Sequence, residues 1–339
     1  MNRFIYFFTL LSSLFLSSLH AVETVDLDII SYRDFVLHDE RAINTLKRAL
    51  LLKGIVGIRN VPGYREKVDH LIEAARAFSA LPESIKIKYA PNRSAGEIAG
   101  YELGKEKFQL SNGAWVTDTL KTSYYGFVPE NPSNKWPSES NLAGPFQDLG
   151  MLMSKTAEEV MQKIGLLAPK TPIDLTGTPR VGRMLHYRQN KEDSSNNPLW
   201  CGAHFDHGIF TALVPAIYFK DGKQIPEPAE AGLYVKTTQD GVFKKVEAND
   251  RDVLLFQVGE FGQLMTDDRI RATEHRVNKA FGEIERFTMA LFISAPMDCV
   301  IHSYSELTKD ARYGGNPGDP CSFDHWQDES YKRYLADDS

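Results

Sequence analysis

Two histidines and one carboxylate carry the strongest chemistry in this sequence: His204-Phe205-Asp206, then His275. Two imidazoles and a carboxylate are the facial ligand set of a mononuclear non-haem Fe(II) site, with positions left open for O2 and a co-substrate. The i, i+2 spacing suits a strand, where alternate side chains share a face. On that reading His204 and Asp206 grip one ion, Phe205 faces away, and His275 arrives from a neighbouring strand. Eleven residues after His275 comes Arg286-Phe287-Thr288. A guanidinium fork beside a hydroxyl on the same face is suited to a carboxylate. The distal carboxylate of a dicarboxylic co-substrate such as 2-oxoglutarate fits that pair.

The elements that must position these residues are legible as two regions. Short β-prone runs at 183–187, 204–213, 232–237, 242–246, 253–258 and 286–293 are punctuated by turn residues such as Gln239-Asp240-Gly241 and Ala248-Asn249-Asp250. Many short strands with turn chemistry favour a sandwich or jelly roll over a parallel α/β sheet. Ahead of them lie three helical stripes. Ile43, Leu46 and Leu50 form one, ended by Gly54; Val68, Leu71, Ile72, Ala75 and Phe78 form a second, ended before Pro82. Phe146, Leu149, Met153, Val160 and Ile164 form a third, with Gly165 near its end. Residues 90–145 are rich in Gly, Pro, Asn and Ser and read as loops and short strands able to fold over the site. The polar tail after Pro296 reads as a C-terminal helix or lid segment.

At this point the chain resembles the 2-oxoglutarate/Fe(II)-dependent dioxygenases of the isopenicillin N synthase-like group. Counterparts of that family's His-x-Asp, distal His-Arg-Val and Arg-x-Ser are His204/Asp206, His275-Arg276-Val277 and Arg286-x-Thr288, with Thr for Ser retaining the hydroxyl. Tyr187 in Leu185-His186-Tyr187 matches the family tyrosine on the preceding strand, although the surrounding motif is degraded. Val25-Asp26-Leu27-Asp28, residues 54–61, the Phe78-to-Pro82 stretch, Gly100-Tyr101, Asp118 with Lys121, and Asn134-Lys135-Trp136-Pro137 follow in the family's order. The resemblance implies a mostly β fold with flanking helices: a double-stranded β-helix (jelly roll) core plus a helix-rich N-terminal region. It implies Fe(II) on His204, Asp206 and His275, with 2-oxoglutarate as co-substrate on Arg286, Thr288 and Tyr187. It also implies O2-dependent oxidation of a small organic substrate, by hydroxylation, desaturation or cyclisation, with release of succinate and CO2. Residues 220–231, with Gly222, Pro226 and Pro228, look like an insertion between Asp206 and His275.

Bland readings stand beside these. A lone His-x-Asp is usually structural; it is the set with His275 and Arg286 that carries weight. His207 neighbours the site but would face away from Asp206 on a strand, so it reads as packing. His186 and the loop tyrosines Tyr101, Tyr124 and Tyr125 are candidates for the pocket lining or for ordinary packing. Three other chemistries compete: an Fe(II)/O2 oxidase of isopenicillin N synthase type without 2-oxoglutarate, a vestigial jelly-roll binding protein, and a zinc hydrolase. The Arg-x-Thr strand and the lack of an obvious general-base motif disfavour the hydrolase.

Composition sets the outer limits. The chain has 339 residues, 42% hydrophobic and 25% charged, with a formal net charge of −6. That is ordinary for a globular enzyme and supplies no basic field for nucleic acid. Residues 1–21 have the layout of a signal peptide: Arg3, an apolar run, then His20-Ala21. Export to a periplasmic, secreted or lumenal compartment is the expectation, with an uncleaved membrane anchor or a cytoplasmic enzyme as alternatives. No later stretch reads as a membrane span, and the expected state is a monomer. Regions are expected at 1–21, 22–167, 168–300 and 301–339. The three cysteines leave redox compartment open: Cys299 and Cys321 are a possible pair, with Cys201 near the metal strand.

Overall fold

A computed structural model describes residues 22–110, 113–165, 175, 178, 180–188, 197–238, 240–247 and 250–334. The expected leader at 1–21 and the expected boundary at 167/168 lie outside the described residues.

The three apolar stripes form helices Glu40–Leu52, Tyr64–Ser79 and Ala143–Gly165. Asp39 caps the first by accepting a 3.0 Å hydrogen bond from the Ala42 N–H, and Gly54, at φ 69°, follows its end. Every residue of the second stripe is buried, as are Phe146, Leu149, Met153 and Val160 of the third. The Ile164 side chain lies outside the described residues. These helices share one apolar cluster with Val56, Ile58, Leu254, Phe256, Met289 and Leu291, so they cover one face of a sheet.

That sheet is large and mainly antiparallel. Its order is Ile29–Ser31, Ile55–Arg59, Val253–Val258, Phe210–Leu213, Ile284–Ile293, Arg180–Tyr187, Lys121–Val128, Gly100–Leu103, with the hairpin Ile217–Lys220/Lys223–Ile225 hung on Ile284–Ile293. A smaller sheet runs Thr24–Val25, Phe243–Val246, Gly232–Lys236, Glu274–Asn278, Leu199–His204. The sheets meet through Leu233, Val235 and Val246 against Ile55, Val253 and Leu255, and through Trp200 and Val277 against Leu185 and Tyr187. All six residues of Val253–Val258 are buried because helices cover one face and the second sheet the other. The expected jelly-roll core with flanking helices is therefore the observed architecture. Strands from 22–167 contribute to both sheets.

One expectation needs correction, and one open alternative is decided. The run 204–213 is not one strand. Leu199–His204 ends in the small sheet, Phe210–Leu213 begins in the large one, and 205–209 form the crossing between them. Tyr101 and Tyr124 do not line the interior of the barrel. They pack edge-on against Phe78 of the second helix, at 5.7 and 5.1 Å between ring centroids. Strand alternation puts only Tyr125, of these three, on the inner side.

The C-terminal segment ends in helix Phe323–Tyr334 and is clamped to the core. Arg312 donates to both carboxylate oxygens of Glu260, at 2.6 and 2.7 Å, and lies 4.2 Å above the Trp326 ring. Both charged side chains are 4% exposed. Removing one member of such a pair strands the other charge in a dry site. Arg312→Met should cost about 3–5 kcal/mol, read as a lower urea midpoint at unchanged slope; a loss below about 1 kcal/mol would mean the pair behaves as a surface one.

Candidate metal centre and co-substrate pocket

His204 closes its strand directly opposite His275, on the antiparallel Glu274–Asn278 strand. Their ring centroids are 4.2 Å apart. Asp206 reaches the same point from the crossing loop, not from a strand, so the convergence owes nothing to pleat alternation. One ligand atom from each of the three lies within 4.8 Å of the others, and this is the one such group of three among the described residues. Asp206 Oδ1 sits 3.8 Å from His204 Nε2 and 3.9 Å from His275 Nε2.

The orientation of each ligand is fixed by its other end. His204 Nδ1 is 2.9 Å from the Gly202 carbonyl, and His275 Nδ1 is 3.0 Å from the Thr273 carbonyl. A carbonyl only accepts, so each Nδ1 carries the proton and each Nε2 lone pair faces the centre. Asp206 Oδ2 accepts from the Thr211 hydroxyl and, at 2.9 Å, from Gln257 Nε2, which leaves Oδ1 to the centre. Burial alone would raise the Asp206 carboxyl; His275, His204 and these hydrogen bonds together hold it below the usual range. Burial, then the neighbouring His204, pushes His275 down to about 4, so its imidazole is neutral at pH 7. Two imidazole nitrogens and one carboxylate oxygen brought together in this way are a donor set that fits Fe(II).

The loop that carries Asp206 is pinned at its backbone. Glu260 N–H donates to the Asp206 carbonyl at 2.8 Å and Gly259 N–H to the Ile209 carbonyl at 2.9 Å. A Cβ at Gly259 would run into the Gly208 carbonyl and lie 3.0 Å from that of Asp206, so a glycine is required for this approach. His207 turns outward. Its ring packs 4.9 Å from Tyr331, its carbonyl accepts from Trp326 Nε1 at 3.2 Å, and it is no ligand. His186 also faces out, stacked on Phe287 at 4.2 Å and paired with Glu285 at 2.9 Å. Arg276 lies 4.4 Å over the Phe243 ring.

Cross-strand register arranges the inner face in rows. Thr211 lies opposite Gln257 in the row beside Asp206. Further in, Lys121, Tyr187, Arg286 and Tyr218 form one continuous row. Arg286 is 3% exposed; its guanidinium lies 4.8 Å over the Tyr187 ring and its Nε donates to the Tyr218 hydroxyl at 3.2 Å. Arg286 Nη1 is buried and has no protein partner. Thr288 is on the same face, but its hydroxyl donates to the Val214 carbonyl. Lys121 of this row also belongs to a charge network. Lys121 Nζ is 2.8 Å from Asp118 and 2.7 Å from Glu106, while Arg183 is 2.8 Å from Glu106 and donates to Ser123. All three cysteines are free thiols, with Cys201 Sγ 3.6 Å from Lys121 Nζ.

Sequence reasoning missed Thr211, Gln257, Tyr218 and Arg183. One signal was available: Gln257 is the single polar residue in Val253-Leu254-Leu255-Phe256-Gln257-Val258, a run buried throughout. Such a residue needs a partner. Gln257→Leu should weaken divalent metal binding by roughly tenfold to a hundredfold, measured by titration with Mn(II) or Fe(II); unchanged affinity would remove Gln257 from the support of Asp206.

Comparison with known proteins agrees with this geometry. Residues 181–295 match the model of the 2OG-Fe(II) oxygenase superfamily. The chain is 26% identical to a 2-oxoglutarate-dependent dioxygenase, gloF of Glarea lozoyensis, covering 85% of this chain and 92% of that one. It is 25% identical to a proline hydroxylase, buaE of Petromyces alliaceus, covering 84% and 92%. In fold it is similar to a full-length Neurospora crassa protein solved in complex with alpha-KG, with a TM-score of 0.69 at 18% identity over 92% of this chain and 99% of that one. JOX2 in complex with 2OG, Fe and JA is also similar, with a TM-score of 0.64 at 19% identity over 93% and 87%. The ligand triad falls inside the matched segment, and that match and the sequence relatives together indicate the 2OG-Fe(II) oxygenase superfamily.

Proposed function

We propose that this Fe(II)- and 2-oxoglutarate-dependent oxygenase oxidises a C–H bond of a small polar organic molecule, releasing succinate and CO2. The observation that carries the co-substrate is Arg286: a buried guanidinium on the inner face with an unpartnered Nη1. Ionised groups are costly to bury without a counter-charge, so the site is built for an anion.

His204, Asp206 and His275 would hold the iron, which when bound supplies the O2 chemistry coupled to decarboxylation of 2-oxoglutarate. The protein's own part is positional. Thr211 and Gln257 hold Asp206, the two carbonyls orient the histidines, and Arg286 binds the distal carboxylate over the face of Tyr187. Leu213, Leu233 and Leu255 keep that end of the barrel dry.

The substrate reading rests on the charge network. A cluster of four charged groups is weak evidence for a stabilising role, because apolar residues of the same volume often stabilise a fold as much or more. Glu106 and Arg183 keep 27% and 14% of their side chains accessible. They therefore offer both an acceptor and a donor to a bound molecule. Support for a small substrate comes from the fold neighbours, solved with thymine or with JA, and from the relative named a proline hydroxylase. Amino acids, with one cationic and one anionic group, are the first class to test. Residues 1–21 support an exported enzyme, and we take the monomer as its working state.

Two outcomes are expected. Anaerobic Fe(II) and 2-oxoglutarate should give a weak visible charge-transfer band, and Arg286→Ala should need at least tenfold more 2-oxoglutarate to reach it, the loss of a charge-assisted contact. Iron binding with no band in the parent would favour the oxidase that dispenses with 2-oxoglutarate, and no metal binding a vestigial site. With a panel of free amino acids that includes proline, one or more should stimulate 2-oxoglutarate turnover, and Arg183→Met should abolish the stimulation while leaving the band intact. A panel with no stimulation, or stimulation that survives in the variant, would count against the polar-substrate reading.

A further inference from the structure

Residues 220–231 look in the sequence like an insertion. The structure brings this segment, with the strand before it, to Arg286. Tyr218 is 1% exposed and pairs in register with Arg286 across the Ile217–Lys220 and Ile284–Ile293 strands. Its hydroxyl accepts from Arg286 Nε at 3.2 Å and donates to Glu227 Oε2 at 2.9 Å. Glu227 Oε1 is 3.0 Å from Lys245 Nζ, and Lys245, 5% exposed, also donates to the carbonyls of Pro228 and Ala229 at 2.8 and 3.0 Å. Space for the carboxylate is kept by Gly232: a Cβ there would lie 2.8 Å from Glu227 Oε2, and its φ of 114° is one side chains rarely adopt.

We propose that Tyr218 is a positioning residue for the co-substrate, held by Glu227 and Lys245, and that it fixes which edge of the Arg286 guanidinium is offered to the 2-oxoglutarate carboxylate. The inference rests on the 2-oxoglutarate reading and deepens it. The direction of each hydrogen bond follows from chemistry. Arg286 only donates and the Glu227 carboxylate only accepts, so the phenol oxygen must accept from one and donate to the other. Nε is thereby occupied, and the Nη edge, with its unpartnered Nη1, is left for the ligand. Charge balance points the same way. Lys245 neutralises Glu227, so the relay ends neutral, and among the described residues no carboxylate contacts Arg286. The guanidinium is held in orientation without being neutralised, as a receptor for an anion requires.

The test separates the relay from the fold and from the metal. Tyr218→Phe keeps the ring and removes the hydroxyl; Glu227→Gln keeps the shape and removes the charge. Each is reconstituted anaerobically with Fe(II) and titrated with 2-oxoglutarate, following the charge-transfer band, and metal affinity is measured separately. Tyr218→Phe should raise the half-saturating 2-oxoglutarate concentration roughly tenfold to a hundredfold, with Fe(II) affinity unchanged. Glu227→Gln should raise it less, and the double variant should match Tyr218→Phe alone, because Glu227 acts through the hydroxyl. A parent that shows a band while Tyr218→Phe titrates like it overturns the relay and leaves the co-substrate reading standing. So does a double variant whose losses add. A parent with no band at any concentration overturns both. Should Tyr218→Phe fail to fold, Glu227→Gln decides: unchanged titration overturns the relay.

Discussion

The chain crosses from the small sheet to the large one at residues 205–209, and the metal centre depends on how that crossing is pinned. His204 and His275 are fixed by strand pairing, but Asp206 belongs to neither sheet. Its carbonyl is bound by Glu260 N–H, its carboxylate by Thr211 and Gln257, and the loop behind it by the close approach of Gly259. Glu260 in turn pairs with Arg312, and Trp326 bonds the His207 carbonyl. The C-terminal helix, which carries no ligand, is thus two residue contacts away from the carboxylate that must meet the metal.

Buried charge is placed unevenly. Arg312 and Glu260 neutralise each other where the C-terminal segment docks. Lys121, Asp118, Glu106 and Arg183 neutralise one another on the inner face. Arg286 differs, with aromatic rings and one hydroxyl around it and no carboxylate in contact among the described residues. In an interior where desolvation of an ion is so costly, a cation left in that state is better explained by a ligand than by the stability of the fold.

The order of residues along the chain makes the site visible without making its construction visible. His204, Asp206, His275 and Arg286 follow from residue type and spacing, and the structure brings the first three together. The alternation argument for the first pair does not hold: Phe205 and Asp206 follow the last strand residue, so the pleat plays no part. The helical stripes at 40–52, 64–79 and 143–165 are legible because a 3.6-residue apolar period needs no knowledge of the partner surface. Sequence reasoning leaves Tyr101 and Tyr124 undecided between pocket lining and packing for the complementary reason. An aromatic in a β-prone run is equally suited to either face until the sheet it joins is known.

The sequence by itself determined the ligand set His204, Asp206 and His275, the place of Arg286 on the strand that follows, and the jelly-roll class with its helical cover. Those properties live in residue types and in periodicities a few residues long. Only the tertiary structure decided which groups support them. Gln257 meets Asp206 across 51 residues, Tyr218 meets Arg286 across 68, and Arg312 meets Glu260 across 52. Contacts at such separations are set by strand register and sheet packing, which are cooperative properties of the whole fold; a local pattern can mark a residue such as Gln257 but does not name its partner.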